Sequence, residues 1–366
     1  MQLQHIIWHL EHLAPPAYQE SYDNSGLQVG LPEAEISGVL VALDVTEQVL
    51  DEAEARGANL IVMHHPLLFK GLKRISNATA IERIVWKAIQ KNIALYAIHT
   101  NLDNMMQGVN AILARKLGLQ PPQILVPQAD VLSKLQVYVP EPAAAAVLEA
   151  LFNAGAGQIG SYAECSYRQS GTGTFRPLPE AHPAIGTAGG PRENLPELNL
   201  QVLVPRHLEQ AVIAAMKAAH PYEEVAYDLI RLANTHPYQG AGMIGMLPEP
   251  EAIPQFLERV KKALDTGCIR YTRPGHTTIQ KVAICGGAGA SFLKAALRAG
   301  ADAYLTGDFK YHEFFDGEDR ILIADVGHWE SEQHTTELLV DYLRQKLPNF
   351  AVHPAGSITN PVHYFH

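Results

Sequence analysis

Two adjacent histidines follow a run of apolar residues early in the chain. The run Leu60–Met63 leads directly into His64, His65 and Pro66. Its apolar and β-branched residues predict a buried strand, and proline, which cannot donate to a sheet ladder, predicts that the strand ends here. Neighbouring side chains on a regular strand point to opposite faces, so both imidazoles reach one site only where the strand stops. Imidazole is a common ligand of zinc, iron, copper and nickel, so the pair indicates a metal site; two surface histidines in a turn are the alternative.

Two further clusters combine histidine with carboxylate. One contains His99 and Asp103, and in the other His328 and Glu332 are four residues apart, which places both side chains on one face of a helix. The same spacing serves metal chelation in many zinc-binding helices, although an exposed polar pair has the same pattern. Each cluster follows an apolar run, as His64 does. We therefore expect the three clusters to lie beyond the carboxyl ends of buried strands, where the functional residues of α/β sheets are usually found.

Together these clusters offer more ligands than one tetrahedral zinc ion needs. Three imidazoles with two or three carboxylates suit two ions bridged by a carboxylate. Such a pair lowers the pKa of a bound water and polarises a carbonyl, ring carbon or phosphoryl group. The sequence therefore predicts a dinuclear centre that supports hydrolysis without a nucleophilic side chain. The ligand types suit zinc, iron, manganese or cobalt.

The elements that must position these clusters alternate between strands and helices. Strands are predicted at 38–45, 60–63, 93–98, 242–247, 282–285, 303–305, 321–326 and 349–355. Helices are predicted at 2–12, 46–57, 78–92, 108–117, 254–264, 291–299 and from His328 to Leu347. This alternation predicts parallel pairing in a layered α/β core.

A different pattern occupies the middle of the chain. Strand, Val-Pro and helix occur twice there, at 134–154 and 199–219, and a closing strand at 225–232 completes two β-α-β halves, the ferredoxin-like arrangement. Between the halves lies a Gly, Pro and Ser-rich stretch at 155–190, in which the segment GTGTFRP from Gly171 is predicted to be a long hairpin or loop. We therefore expect residues 1–125 and 235–366 to form the α/β core with the metal site, and residues 126–234 to form an inserted ferredoxin-like α+β domain.

Composition limits the classes of function. The chain has 366 residues, of which 47% are hydrophobic and 18% charged, enough for a sizeable core and two or three domains. A net charge of −10 without a dense Lys/Arg stripe argues against general nucleic-acid binding. The absence of a long apolar run and of a signal-peptide start predicts a cytoplasmic protein without a membrane span. Cys165, Cys268 and Cys285 match no C-x-x-C pattern and are expected to be reduced and mostly buried.

Five motifs, in this order along the chain, resemble the signatures of the NIF-three-like family, whose members are named GTP cyclohydrolase 1 type 2. They are YDNSGLQ from Tyr22, VMHHP from Val62, HTNLD from His99, TGDFKYH from Thr306 and GHWESE from Gly327. The resemblance covers about residues 1–120 and 237–366. The middle segment, at about 126–234, resembles the CutA/PII-like domain of the longer bacterial members.

The resemblance implies a set of site residues and an assembly. The ligands of two divalent ions fall on His64, His65, Asp103, His328 and Glu332. The family's pocket histidines, which could act as acid or base, fall on His99 and His312, and acidic residues near the site fall on Asp44 and Asp308. Where the family usually has Tyr after the ligand histidine, this chain has Trp329. The resemblance also implies a homohexameric ring whose metal sites face an internal cavity.

The reaction that the resemblance implies is hydrolytic opening of the purine ring of GTP, which yields dihydroneopterin triphosphate and formate. A metal-bound hydroxide that attacks carbon eight, with a histidine that moves protons, would carry it out. Two alternatives stay open. One is a metal-dependent hydrolase or phosphatase that acts on another nucleotide. The other is a non-enzymatic metal-handling or regulatory protein whose inserted domain senses a small ligand.

Three further patterns favour ordinary structural explanations. The segment 286–290 (GGAGA) lacks the G-x-G-x-x-G spacing and a Walker lysine, which favours a tight turn, although its backbone N–H groups could bind an anion. The sequence HPYEE from His220 is more typical of a helix end than of a second ligand-binding or metal site. His5, His9 and His12 share a helix face, which favours a solvated or interface surface over a surface chelate.

Overall fold

A computed structural model describes residues 1–365, and the chain divides into two compact units. The first unit comprises Met1–Val126 and the chain from Tyr238 onward, and the second unit is Pro127–Pro237. The helices of the described residues are α1 (Leu3–Leu13), α2 (Glu47–Ala55), α3 (Ala80–Gln90), α4 (Thr100–Asp103), α5 (Val109–Leu117), α6 (Ala144–Asn153), α7 (Glu209–Ala219), α8 (Ile253–Ala263), α9 (Leu293–Arg298), α10 (His328–Glu332) and α11 (Thr335–Lys346). The strands are β1 (Gly26–Val29), β2 (Val39–Ala42), β3 (Leu60–Met63), β4 (Ala94–Ala97), β5 (Gln120–Pro127), β6 (Leu132–Pro140), β7 (Ser166–Phe175), β8 (Glu193–Pro205), β9 (Tyr227–Arg231), β10 (Gly240–Ala252), β11 (Arg270–Tyr271), β12 (Thr278–Ile284), β13 (Ala303–Thr306), β14 (Leu322–Asp325) and β15 (Val352–Pro354).

The first sheet of the first unit has the order β1-β4-β3-β2-β15. Its strands β15, β2, β3 and β4 are parallel, and β1 is antiparallel to β4. Every residue of β2, β3 and β4 is buried, as expected for parallel strands covered on both faces. Leu60 and Val62 pack on the side of α1 and α11, whereas Ile61 and Met63 pack on the side of α2 and α3. The uninterrupted apolar run before the histidines is therefore explained by burial on both faces.

The second sheet of the first unit has the order β11-β14-β13-β12-β10-β5. Its central strands β12, β13 and β14 are parallel, and β10 is antiparallel to β12. One face packs against α5 and α8 around Phe256, and the other packs against α9 around Tyr304. The predicted α/β class is confirmed, as a mixed α/β fold that contains several sheets.

The second unit contains one antiparallel sheet with the order β7-β8-β6-β9. Helices α6 and α7 cover one face, on which Val137, Val139 and Leu200 are buried in the core. The residues that alternate with them, such as Tyr138 and Asn199, point away from these helices. Along the chain the elements follow one another as β6, α6, β7, β8, α7 and β9.

Several elements differ from the sequence prediction. Strand β7 (Ser166–Phe175) lies in the Gly, Pro and Ser-rich stretch and overlaps the hairpin or loop predicted from Gly171. It is an exposed edge strand of mostly polar and glycine residues, so no apolar alternation marks it. Strand β1 (Gly26–Val29) follows the turn at Tyr22 and is only half-buried. The helix predicted from His328 to Leu347 is divided, because α10 ends at Glu332 and α11 begins at Thr335.

Two predictions based on composition can be compared directly with the structure. All three cysteines are free; Cys285 is buried as expected, whereas Cys165 and Cys268 are only partly buried. Across residues 1–365, no helix combines the length and the apolar character that crossing a bilayer requires.

Candidate metal centre

Strand β3 delivers His64 into the interior of the first unit. The side chain is fully buried, and its Nδ1 donates a hydrogen bond to the carbonyl oxygen of Ile98 at 2.8 Å. Because a carbonyl only accepts, the proton is on Nδ1 and the lone pair is on Nε2. Burial lowers the pKa of His64 below its ordinary value, so the ring is neutral, which is the form that binds metal.

The Nε2 atom of His64 faces Asp103 at the end of α4. It lies 3.6 Å from Oδ1 of Asp103, and both atoms are buried without a hydrogen-bond partner among the described residues. Burial and the charge of Glu332 raise the pKa of Asp103 well above its usual range. Two buried, unpartnered and adjacent ligand atoms are costly unless something else satisfies them. A metal ion would satisfy both.

His65 is held between two carboxylates. Its Nδ1 lies 2.7 Å from Oδ1 of Asp44, and its Nε2 lies 2.8 Å from Oε2 of Glu332. Burial would lower the pKa of His65, but the hydrogen bonds with Asp44 and Glu332 outweigh it and raise the pKa to about 10. A metal-binding histidine typically binds the ion through one ring nitrogen while a carboxylate accepts from the other nitrogen and orients the ring. Asp44 is placed to orient His65 in this way.

Helix α10 contributes His328 and Glu332 from one face, as their spacing predicts. Nε2 of His328 lies 3.1 Å from Oε2 of Glu332 and 3.4 Å from Nε2 of His65. Its Nδ1 lies 2.7 Å from Oδ2 of Asp308, an exposed residue with a φ of 61°. Burial would lower the pKa of His328, but these two carboxylates raise it to about 9.

Glu332 connects two sets of candidate ligands. Two groups of three side chains each have their ligand atoms within 4.8 Å of one another: His64, Asp103 and Glu332, and His65, His328 and Glu332. Oε2 of Glu332 faces His65 and His328, whereas Oε1 lies 3.9 Å from Nε2 of His64. Burial raises the pKa of Glu332, but the close contacts with His328 and His65, together with the nearby ring of His64, hold it well below the usual range. The structure thus contains His/Asp/Glu groups that could bind metal ions, and the carboxylate is shared between them.

The glycine-rich turn after β12 makes room for Glu332. Gly287 has a φ of +64°, and a Cβ at this position would collide with Oε1 of Glu332. Three of the backbone N–H groups are already used, because Gly286 donates to Asn110, Gly287 to Ser331 and Gly289 to Thr306. These three groups are therefore not free to bind an anion, and the segment is a tight turn beside the candidate ligands.

His99 is oriented by a residue of the first motif. Its Nδ1 lies 2.8 Å from Oδ1 of Asp23, and Asp23 also accepts hydrogen bonds from the backbone N–H and the hydroxyl of Thr100. Burial opposes ionisation of Asp23, but the hydrogen bonds from His99 and Thr100 lower its pKa far below the usual value. The ligand atom of His99 also lies within 4.8 Å of those of His64 and His65.

Two cavities of about 630 Å³ adjoin the centre, and both are lined by His65 and His328. One also contains His99 and Asp103 together with the aromatic rings of Tyr22 and Phe69. The other contains Asp44, Asp308 and Arg270, together with the C-terminal residues Asn360 and Tyr364.

The C-terminal segment fixes two acidic residues beside the centre. Thr359 donates a hydrogen bond to Oδ2 of Asp44 at 2.7 Å, and Asn360 donates to Oε1 of Glu330 at 3.1 Å. Asp44 in turn holds His65. Neither Thr359 nor the role of Asp23, which lies in the first motif, could be predicted from the sequence, because only the fold brings them to the site.

The structure brings together eight of the sequence-predicted residues. They are the five candidate ligands His64, His65, Asp103, His328 and Glu332, with Asp44 and Asp308 behind them, and His99 lies against the same group. His312 is different: it is exposed in the short 3-10 helix Tyr311–Gly317 and lines neither of the two cavities.

The other histidines singled out in the sequence have structural partners or lie on the surface. His220 ends α7, and both of its ring nitrogens are engaged, by the carbonyl oxygen of Tyr138 and the N–H of Tyr222. Nδ1 of His12 lies 2.7 Å from the carbonyl oxygen of Trp8. Within residues 1–365, His5, His9, His12 and His220 belong to none of the groups whose geometry suits a metal.

Comparison of the chain with known proteins identifies its family. The family model described as Duf34/NIF3 (NGG1p interacting factor 3) matches residues 1–361. A Halalkalibacterium halodurans relative named GTP cyclohydrolase 1 type 2 homolog is 42% identical over 327 residues, which cover 89% of this chain and 88% of the relative. A Bacillus subtilis relative with the same name is 39% identical over 363 residues, which cover 98% and 97%.

A solved structure extends the similarity to the fold. The crystal structure of a Bacillus cereus protein related to NIF3 matches with a TM-score of 0.85 and 38% identity, and the match covers 100% of this chain and 99% of that one. The family indicated by the five sequence motifs is thereby confirmed. The chain belongs to the Duf34/NIF3 family.

Proposed function

We propose that this protein is a dinuclear metal-dependent hydrolase, with GTP cyclohydrolase as the candidate activity. The observation that carries the proposal is the shared carboxylate of Glu332, whose oxygens face two different sets of imidazole and carboxylate ligands. The unpartnered ligand atoms of His64 and Asp103 support the same reading. We assign one divalent ion to His64, Asp103 and Glu332, and a second to His65, His328 and Glu332. Zinc, iron and manganese all accept such ligands.

The chemistry divides between the ions and the side chains. When bound, a pair of divalent ions lowers the pKa of a coordinated water and polarises the group that it attacks. Because the Asp23 carboxylate accepts from Nδ1 of His99, the other ring nitrogen keeps a lone pair and can receive a proton. We therefore assign His99 as the acid–base residue. His312 is a second acid–base candidate on the family resemblance alone.

The cavity beside His99 suits a flat ring. The rings of Tyr22 and Phe69, which are substantially exposed, line it with centroids 6.3 Å apart. Aromatic faces of this kind stack on planar heterocycles, which a nucleobase offers. This supports a nucleotide substrate. The name shared by the relatives makes GTP the first to test, with one water consumed and formate and dihydroneopterin triphosphate as products.

We also propose a domain type for the second unit, an oligomeric state and a cellular location. We propose that the second unit is an inserted ferredoxin-like domain of the CutA/PII-like kind, since its β-α-β-β-α-β element order and its strand order, β7-β8-β6-β9, fit that arrangement. We also propose a cytoplasmic homohexamer, on the family resemblance. Sedimentation analysis of the purified protein measures the number of chains directly, and a monomer would contradict the hexamer.

The test measures metal content and turnover on the same samples. Purified wild-type protein, Glu332→Ala and the control Glu337→Gln, which alters an exposed carboxylate of α11, are analysed for metal per chain and for formate released from GTP. We expect two ions and formate release in the wild type and the control, and loss of both in Glu332→Ala. Two bound ions without formate release would exclude GTP as the substrate and favour another nucleotide or a metal-handling role. A wild type that contains no metal would overturn the proposal.

A further inference from the structure

The second unit contains a cavity of about 400 Å³, none of whose lining residues belongs to the candidate metal centre. This volume is in the range of sites for small molecules. Three aromatic rings form part of its wall: Tyr138 on β6, Phe175 at the end of β7 and Tyr222 beyond α7. The rings of Phe175 and Tyr222 meet edge to face, with centroids 5.8 Å apart. Half of the remaining lining residues are apolar: Pro177, Leu178, Ala181, Pro183, Ala184 and Ala226.

The charges around this cavity are mostly negative. Four acidic residues line it, Glu180, Glu197, Glu223 and Glu224, against one basic residue, Arg176. Aromatic rings also present a negative face, which attracts cations. Both features disfavour an anionic ligand such as a phosphate and favour a positively charged one.

Glu197 is built into the sheet with one oxygen available. It lies on β8 and alternates with Leu198, which packs against the helix-covered core, so its side chain points away from that core. Its Oε1 accepts a hydrogen bond from the hydroxyl of Tyr222 at 3.0 Å, and its Oε2 accepts none from residues 1–365. Gly173 on the adjacent strand leaves the necessary space, since a Cβ there would collide with this carboxylate.

The wall of the cavity is fastened in place. The backbone N–H of His182 donates to Oε1 of Glu223 at 2.8 Å, which ties the loop after β7 to the segment after α7. His220 fixes the start of that segment through its 3.0 Å contact with the carbonyl oxygen of Tyr138. A site whose walls are already fixed loses little conformational entropy when a ligand binds.

We propose that this cavity binds a small organic cation, namely a primary amine with an aromatic or aliphatic body. The ammonium group pairs with the free oxygen of Glu197 and lies against the rings of Tyr222 and Phe175. The body of the ligand lies against the apolar wall. This site is independent of the proposed hydrolase activity, and it gives the second unit a binding function of its own.

The experiment compares three probes of similar shape and different charge on the full chain. 2-Phenylethylamine, 2-phenylethanol and 3-phenylpropionate are titrated against the wild type by calorimetry and by saturation-transfer NMR. We expect the amine to bind at least about tenfold more tightly than the neutral alcohol, and the carboxylate to bind most weakly. Equal affinity for the three probes, or preference for the carboxylate, would overturn the proposal.

Variants locate the site. Glu197→Gln is expected to weaken binding of the amine about tenfold, and Phe175→Leu, on an exposed edge strand, several-fold. Glu149→Gln, which changes an exposed carboxylate on α6 outside the cavity, is expected to leave binding unchanged. Circular dichroism verifies that each variant is folded. Unchanged amine binding in both folded cavity variants would show that the amine binds elsewhere and would overturn the proposal.

Discussion

Nε2 of His65 lies 2.8 Å from Oε2 of Glu332, although 267 residues separate them in the chain. His65 follows a strand of the first sheet, and Glu332 ends the helix that follows a strand of the second. The candidate metal centre therefore lies where the two sheets of the first unit meet. Ions bound there would link the two sheets, so metal removal should loosen the unit as well as abolish any activity.

The bridging position of Glu332 can be tested by a change that keeps its shape. Glu332→Gln removes the charge and leaves one oxygen, so it can serve at most one of the two ligand sets. We expect metal content measured by mass spectrometry to fall from two ions per chain to one or none. Glu337→Gln is the matched control. Retention of both ions in Glu332→Gln would contradict the assignment of a bridge.

Metal binding should depend on pH because His65 and His328 must lose protons. Their pKa values in the metal-free protein are raised to about 10 and about 9, so both rings are protonated at neutral pH. An ion has to displace these protons, and raising the pH removes the competition. The affinity should therefore rise by up to about tenfold per pH unit for each displaced proton, and level off above the higher pKa.

Competition with a chelator of known affinity, between pH 6 and pH 9, would measure this rise. Calorimetry in two buffers of different ionisation enthalpy would count the protons released. Asp44→Asn should lower the pKa of His65 and reduce the slope. An affinity that is independent of pH in this range would contradict the proposed proton displacement.

Some of this arrangement could be predicted from the sequence because it depends on local patterns. Strand β3 has the predicted bounds because each of its residues is apolar and buried on a two-sided sheet. The start of α2 also agrees with the predicted range 46–57, because Thr46 is a good capping residue and its hydroxyl accepts from the N–H of Val49. The spacing of His328 and Glu332 predicted a shared helix face, and both side chains converge on His65.

Other features could not be predicted because they arise from contacts between distant parts of the chain. Asp23 orients His99 across 76 residues, and Thr359 fixes Asp44 across 315. In each case a single polar side chain acts through a neighbour. Asp23 lies in the first motif, but neither its type nor its spacing indicates that it contacts His99, and nothing local marks Thr359. Strand β7 escaped prediction for a different reason: an exposed edge strand needs no buried face, so its sequence carries no alternation.

A substitution at Thr359 tests whether this residue affects metal binding indirectly, by holding Asp44 against the candidate ligand His65. Thr359→Val keeps the shape of the side chain but removes the hydrogen bond to Asp44, which should then hold His65 less firmly. Residues of this kind typically change metal affinity by roughly 10–100-fold, and we expect the lower end for one of the two ions. Ser357→Ala is the control, because Ser357 lies in the same segment and bonds to Glu52 instead. Equal effects of the two substitutions would contradict a specific action on His65.

His99 is expected to act in turnover and not to be needed for metal retention. His99→Gln removes the acid–base nitrogen, so GTP turnover should fall about 100-fold or more, while both ions stay bound. Asp23→Asn should reduce turnover less, since it weakens the hydrogen bond that orients the ring. Loss of an ion in His99→Gln would show that His99 is a ligand, as its position near His64 and His65 also permits.

Gly287 and Gly300 both have a positive φ, so comparing alanine substitutions at the two positions distinguishes backbone strain from a steric collision with Glu332. Gly287 and Gly300 have φ values of +64° and +68°, but a Cβ at Gly287 would collide with Glu332, whereas nothing lies within 4 Å of one at Gly300. Gly300→Ala should therefore cost only the left-handed conformation, about 1 kcal/mol in the free energy of unfolding. Gly287→Ala should cost more and should also displace Glu332, so that metal content falls. Denaturant unfolding and metal analysis of both variants measure these effects, and normal metal content in Gly287→Ala would show that Glu332 does not need this space.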